Sequence, residues 1–214
     1  MLKLFLLTLL LLVPSLTVKG VDISQLFSTS TYQCIKNSGY SFAIPRGYYS
    51  YGAVDVNVVN NLNNARAAGL ITDIYMFPCR GKSASSQVDQ MMSAISSKLY
   101  GMVWIDVEIN PSSGCGWGKD YNSNCNYVTE LVSRIKSNGK TPGIYTSEYM
   151  WETIMGSRTS CTGVASTQLW YAHYDNNPSF SDFIQIGGWK KPNIKQYKGD
   201  TTLCGAGVDL NFYP

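Results

Sequence analysis

One short run carries two carboxylates separated by a single residue: Val103-Trp104-Ile105-Asp106-Val107-Glu108-Ile109. Side chains on a strand alternate between its two faces. Val103, Ile105, Val107 and Ile109 then form one apolar face, and Trp104, Asp106 and Glu108 form the other. Val21-Asp22-Ile23 and Val208-Asp209-Leu210-Asn211-Phe212 repeat the pattern at distant points of the chain. A lone Asp-x-Glu more often marks the wet face of a two-faced strand. Three strands that each set acids among apolar residues argue for function, because burying unpaired carboxylates is costly.

Clustered carboxylates suit two chemistries. One is divalent-metal binding. The other is glycoside hydrolysis, which needs a protonated acid beside an ionised neighbour. Like charges raise the pKa of one carboxyl and so keep a proton donor charged with its proton near neutral pH. The aromatic residues favour a sugar. Tyr48, Tyr49, Tyr51, Tyr75, Tyr145, Trp170, Tyr171 and Tyr197 fall at or near strand ends, and an aromatic face with a polar tip suits a sugar ring. As a group they point to a carbohydrate; singly each is ordinary core. Other catalytic signatures are missing. There is no G-x-S-x-G elbow and no P-loop, and Gly114-Cys115-Gly116-Trp117-Gly118-Lys119 lacks the last glycine of a dinucleotide fingerprint. The single histidine, His173, speaks against a His-based zinc site and reads as a hydrogen-bonding strand residue. No cofactor or metal is expected.

The elements that must position these residues alternate. Short apolar stretches at 21–23, 42–46, 70–77, 102–109 and 143–146 are each followed by a helix-like stretch. Asp55 reads as the N-cap of a helix with Val58, Leu62 and Ala65; Ser85 opens one with Val88, Met91, Ile95 and Leu99; Asn126 opens one with Leu131, Val132 and Ile135; Ser147 caps one that stops at Gly156. The helical rhythm then ends, and 168–174, 193–197 and 208–212 read as strands. Strand–helix alternation implies a parallel sheet with helices outside. Eight strands can close into a barrel, whose active site lies at the C-terminal ends of the strands; an open doubly wound sheet is the alternative. The fold class expected is α/β, a single-domain irregular TIM-like barrel of five βα units followed by three β-strands. In a barrel the first and last strands are neighbours, so Asp22 and Asp209 would meet at the mouth that holds Asp106 and Glu108.

Residues 1–20 read as a secretory signal peptide: Lys3, an apolar run from Leu4 to Val13, then Pro14 and small or polar residues, with cleavage near Lys19–Gly20. The run of about ten residues is too short to span a bilayer. Residues 21–214 form the remaining domain. The 214-residue chain has a formal charge of +3, which falls by two without Lys3 and Lys19; a nucleic-acid partner is not expected. The mature protein is expected to be monomeric, free of membrane, and secreted or held in the lumen of secretory or digestive vesicles. Six cysteines (Cys34, Cys79, Cys115, Cys125, Cys161 and Cys204) in such a chain imply three disulfides. Cys115 and Cys125 flank a Gly- and Asn-rich stretch and form the expected pair. Their use as disulfides leaves no free thiol for a His173–cysteine nucleophile. Lys190, Lys191, Lys195 and Lys198 read as a solvated basic cluster.

The set Gly20-Val-Asp22-Ile-Ser24, Trp104-Ile-Asp106-Val-Glu108, Pro142-Gly-Ile-Tyr145-Thr-Ser147, Leu169-Trp-Tyr-Ala-His-Tyr174, Gln196-Tyr197 and Gly207-Val-Asp209-Leu-Asn211 resembles the glycoside hydrolase family 25 lysozymes, and within them the short secreted branch of protists and invertebrates. The resemblance implies cleavage of the β-1,4 bond between N-acetylmuramic acid and N-acetylglucosamine in peptidoglycan. It implies Glu108 as general acid, Asp106 orienting the substrate's own N-acetyl group for attack, and Asp22 and Asp209 holding the site. Tyr75, Tyr145, Trp170 and Gln196 would bind substrate. The end of the second strand, Ile44-Pro-Arg46-Gly-Tyr-Tyr49, is basic and aromatic where bacterial members are expected to be acidic, a difference that touches the outer subsites. Spacing leaves the stereochemistry open: residues two apart on a strand lie roughly 6.6 Å apart, between the carboxyl separations of retaining and inverting enzymes. A lectin-like module or a metal-dependent hydrolase built on the same acids remain the alternative functions.

Overall fold

A computed structural model describes residues 17–214. Along the chain run β1 (Val18–Ile23), α1 (Thr29–Asn37), β2 (Tyr40–Tyr49), β3 (Ala53–Val54), α2 (Val58–Ala67), β4 (Ile71–Thr72), β5 (Ile74–Met76), α3 (Ala84–Ala94), β6 (Met102–Asp106), α4 (Tyr121–Ser137), β7 (Thr141–Thr146), α5 (Glu148–Met155), β8 (Gln168–Ala172), β9 (Ile194–Leu203) and β10 (Ala206–Tyr213). β1, β2 and β5 to β9 pair in parallel, each with the next, while β10 runs antiparallel between β9 and β1. The pairing of β1 with both β2 and β10 closes an eight-stranded barrel. Short β3 and β4 attach to β2. A helix follows each of the first five barrel strands, and the last three are joined without one, as the sequence rhythm implies.

The strand pattern sorts the core into two layers. Outward-facing Val103 and Ile105 of β6, with Val107 just beyond it, pack against Val88 and Met91 of α3, Leu131 and Ile135 of α4, and Trp151 of α5. Val21, Ile23 and Ala43 do the same against Tyr32 and Ile35 of α1 and Ala65 of α2. Inside the barrel Phe42, Ile44, Trp104, Tyr145, Trp170 and Ile194 form a plug beneath the mouth. Two glycines make room for it. A side chain at Gly143 would come within 2.3 Å of the Trp104 ring, and one at Gly20 within 2.2 Å of Phe42. The Trp104 indole N–H is satisfied by Asp73 Oδ2 at 3.0 Å.

Several boundaries differ from expectation. α4 begins at Tyr121, earlier than Asn126, because the Asp120 carboxylate caps it by accepting from the Ser123 N–H at 3.0 Å. α3 is capped by Ser83, ahead of Ser85. Asp55 lies two residues ahead of the N-cap position, which Asn57 occupies: its carboxylate accepts from Arg46 Nε at 2.8 Å and from the Asn57 N–H at 2.9 Å, and α2 starts at Val58. Ile109 is 49% exposed, since β6 ends at Asp106 and the outer apolar face ends with Val107.

The disulfides are Cys34–Cys204, Cys79–Cys115 and Cys125–Cys161, so the expected Cys115–Cys125 pair is wrong. The earlier start of α4 puts Cys125 on a helix, where it meets Cys161 beyond α5, while Cys115 stays in the preceding loop beside Cys79. Most of the expected leader, residues 1–16, lies outside the described residues. Val18, Lys19 and Gly20 belong to β1, opposite Tyr213, Phe212 and Asn211, and a cut after Gly20 would remove the first half of that strand.

Candidate active site

The barrel mouth gathers the acids named from the sequence. Asp22 and Asp209 sit directly opposite each other on β1 and β10. Asp106 is the last residue of β6, and Glu108 follows in the β6–α4 loop. That loop is held in place by Cys79–Cys115, by Trp117 Nε1 donating to the Glu108 carbonyl at 2.7 Å, and by Asn110 Nδ2 donating to the Pro78 and Ser50 carbonyls. All four acids, with Tyr75, Tyr145, Trp170 and Gln196, line one cavity of about 130 Å³.

Gln196 organises the cluster. Its amide N–H₂ donates to Asp22 Oδ1 at 2.8 Å and to Asp209 Oδ2 at 3.4 Å. Its carbonyl accepts from the Tyr145 hydroxyl at 2.6 Å and the Tyr174 hydroxyl at 2.8 Å. A second amide, Asn211, donates to Asp22 Oδ1 at 2.7 Å and accepts from Trp170 Nε1 at 2.8 Å, tying the acids to the aromatic plug. Asp209 also accepts from the Asp200 N–H. Tyr174 and Asn211 belong to the site yet are absent from the residues expected to bind substrate. Asn211 lies on β10 two residues from Asp209, and Tyr174 lies just past the end of β8, four residues from Trp170, so alternation continued from those two residues points to them.

No cation neutralises these carboxyls among the described residues, and their pKa values rise. Burial pushes Asp22 up to about 7, with the charge of Asp209 adding to it. Asp106 is held well above the carboxylate range by burial and then by Glu108. Burial also raises Glu108, against a hydrogen bond from Asp106 that lowers it, with Asp209 raising it further. Asp209 is raised by burial. Asp106 Oδ1 is buried and has no hydrogen-bond partner within the protein. The arrangement can hold a proton near neutral pH and offers one unsatisfied acceptor oxygen to a ligand.

The other aromatics divide. Tyr48 is fully buried in the outer core and donates to Gln90. Tyr197 packs on Phe212. Tyr49 and Tyr51 stack on each other at 5.0 Å, with Arg46 over Tyr49. The basic end of β2 is internally matched, since Arg46 pairs with Asp55 and donates to the Ser24 carbonyl. Tyr171 packs edge-on against Phe183 and faces a second cavity of about 480 Å³ beside Glu108.

The basic cluster also divides. Lys190 and Lys191 are exposed, but Lys195 is fully buried. Its ammonium lies 2.7 Å from both Asp175 and Asp182 and donates to the Ser179 carbonyl. His173 joins Asp182 through Nδ1. His173, Asp175 and Asp182 are the group with metal-ligand spacing among the described residues; the Lys195 ammonium already bridges its two carboxylates. The mouth acids are not so spaced.

An eight-stranded barrel with protonatable carboxyls and aromatic rings at the C-terminal mouth has the form of a glycoside hydrolase. Residues 15–197 match the family described as Lysozyme-like protein 1. The chain is 42% identical to a probable GH family 25 lysozyme of Dictyostelium discoideum over 92% of its length and 91% of that protein. It is 40% identical to lysozyme-like protein 5 of Caenorhabditis elegans, over 99% and 100% of the two chains. Its fold matches the crystal structure of a bacterial lysozyme from Streptomyces coelicolor with a TM-score of 0.78 and 25% identity, covering 92% of this chain and 91% of that one. The chain belongs to the GH25 lysozymes, glycoside hydrolases of the muramidase type.

Proposed function

We propose that the protein hydrolyses the β-1,4 bond between N-acetylmuramic acid and N-acetylglucosamine in bacterial peptidoglycan, with Glu108 as the proton donor. The observation that carries this reading is the unpartnered Asp106 Oδ1 beside Glu108. An acetamido N–H of the substrate would satisfy that oxygen and aim the acetamido carbonyl at the anomeric carbon. The carbonyl oxygen then bonds to that carbon as the glycosidic bond breaks, and the leaving oxygen takes the Glu108 proton. Water opens the resulting ring with Glu108, now ionised, accepting a proton. Asp22 and Asp209, held by Gln196 and Asn211, face the developing positive charge.

The shared proton gives substrate binding a further role. Burial raises both Asp106 and Glu108, so the neighbouring pair holds a proton more readily than free carboxylates do. A donated acetamido N–H favours the ionised form of Asp106 and moves the proton toward Glu108. The general acid is then charged when the bond to be cleaved is in place.

Three disulfides support a secreted or vesicular protein, and no helix of the described residues is long and apolar enough to cross a membrane. Leader removal before Val18 leaves β1 whole. Antibacterial defence or digestion of bacteria are the roles that such an activity serves. The test is clearing of a suspension of purified bacterial walls, with and without a chelator. Wild-type protein is expected to clear it in both, and Glu108→Gln is expected to lose roughly 10²–10⁴-fold in kcat while still binding wall fragments. Binding without clearing by the wild type would make the protein a lectin. Clearing abolished by chelator would make it a metal enzyme.

A further inference from the structure

The topology sorts the charged side chains by end. The parallel strands start at the base of the barrel and finish at its mouth. Each outer helix runs back down, so helix C-termini and the first residues of the parallel strands share the base. The last turns of α1, α2 and α4 carry Lys36, Arg66 and Lys136. Lys98 lies in the short turn, Ser97–Leu99, that leads from α3 into β6. Lys190 and Lys191 precede β9. The turn before β7 is tied to the one before β6 by Lys140, whose ammonium donates to the Ser97 and Tyr100 carbonyls at 2.6 Å.

These cations are unmatched. Arg66, Lys98, Lys136, Lys190 and Lys191 are exposed and Lys36 is partly so. Among the described residues none of them forms an ion pair. Two carboxylates near them are already taken. Asp73 accepts from the Met102 N–H and Trp104 Nε1, and Asp89 is gripped by Arg134 and Asn138. The mouth is the reverse. It gathers the four acids of the candidate active site, while Arg46, Arg158 and Lys195 are each paired with a carboxylate. A modest formal charge of +3 thus conceals two unlike ends. A cation in the last turn of a helix complements the helix dipole, which accounts for Lys36, Arg66 and Lys136. It does not account for Lys190 and Lys191, which lead into a strand.

We propose that the base of the barrel is a docking surface for a phosphate-bearing anionic polymer of the bacterial wall. Cations spread over several helix ends and strand starts suit a long flexible polyanion. Such a polymer meets many of them at once and releases its counterions in doing so, whereas a compact anion would meet only one or two. Anionic lipids are the other extended anions, but they are concentrated on the cytoplasmic leaflet, and three disulfides suit an oxidising compartment outside it. The acids of the mouth offer a polyanion no such hold, so docking at the base leaves the groove open. Polymer held at the base would keep wall glycan near the mouth and raise its effective concentration there. The choice of a wall polymer rests on the glycosidase reading above; the unmatched charge of the base does not.

The test uses the whole protein, purified poly(glycerol phosphate), and a variant that combines Lys98→Gln, Lys136→Gln, Lys190→Gln and Lys191→Gln. These side chains are exposed and lie away from the groove, so the variant should cleave soluble glycan strands with the wild-type kcat/KM. Wild type is expected to bind the polymer at low salt, with affinity falling steeply as salt rises. The variant should bind about tenfold or more weakly, and the slope of log Kd against log salt should fall by roughly three. Arginine at the same four positions should restore both. Walls that carry the polymer should be cleared faster by wild type than by the variant, and walls stripped of it equally fast. Equal binding by wild type and variant, or no binding by wild type at low salt, would overturn the proposal. So would binding to phosphatidylglycerol vesicles without binding to the polymer, which would make the base a membrane surface. A wild type that binds the polymer yet leaves glycan strands intact would refute the glycosidase reading and uphold this one.

Discussion

Two groups of carboxylates sit at the C-terminal end of the barrel strands, and they differ in what faces them. At the mouth, Asp22, Asp106, Glu108 and Asp209 face one another and two amides, and burial raises all four. Beside β9, Asp175 and Asp182 face the ammonium of Lys195. Burial alone would raise these two as well, but the hydrogen bond and charge of Lys195, helped by the Asn177 N–H at Asp175 and by His173 at Asp182, outweigh it, and both are lowered. The second group pins the segment between β8 and β9, the wall that carries Tyr174 and Ile184. The first has no counter-charge beside it, which is what the chemistry proposed for it requires. A buried carboxyl is thus read from its partner, and its residue type alone does not tell which group it belongs to.

The largest effect expected from breaking this contrast is at the clasp. Asp175→Asn with Asp182→Asn leaves a fully buried ammonium without a counter-charge, and the loss of stability should be about 3–5 kcal/mol, measured by urea unfolding. Lys195→Met made on the same double variant should recover much of it; no recovery would mean that the ammonium is not the source of the loss.

The mouth should respond in the opposite direction. A carboxyl raised on folding binds its proton more tightly in the folded state, so its contribution declines as pH rises from the ordinary value near 3.9 through the raised one, about 7 for Asp22. The lowered acids of the clasp contribute above the ordinary range and lose that contribution as pH falls through their folded pKa values. Asp106→Asn removes the acid whose oxygen lacks a partner, and its amide can donate to Glu108. Stability at pH 7 should rise by about 0.5–2 kcal/mol, while wall lysis falls about tenfold or more. Thermal unfolding at pH 4 and pH 7 checks the sign: the gain should shrink at pH 4, and a variant less stable than wild type at pH 7 would contradict the account of the mouth.

The smallest effect concerns the strand face that separates mouth from core. Ile105→Val removes one buried methylene from the outward layer and should cost about 0.5–1.5 kcal/mol with kcat on glycan strands unchanged. A large fall in kcat with intact folding would show that Ile105 does not face outward.

Alternation on single strands made much of this legible. Asp106 and Glu108 share a face opposite Val103 and Ile105 because strand geometry permits nothing else, and the strand–helix rhythm gives the five-plus-three order of the barrel. The amides Gln196 and Asn211 were also within reach, being on strands with the right phase. The pairing of cysteines was not. A composition rich in Gly and Asn before Asn126 suggests a loop, but one capping bond from Asp120 extends α4 back to Tyr121 and turns Cys125 away from Cys115. The same limit applies to charge. Lys195 is one of four lysines close together in sequence, and only the return of the 173–193 segment over β9 takes it out of water and sets it between Asp175 and Asp182. Periodicity and residue chemistry act over a few positions and are written in the sequence itself. Disulfide partners, the burial of one lysine among four, and the apolar cavity beside Glu108 depend on segments brought together by closure of the barrel. Those contacts cannot be read from local pattern, because many chain paths satisfy the same local preferences and only the packed structure selects among them.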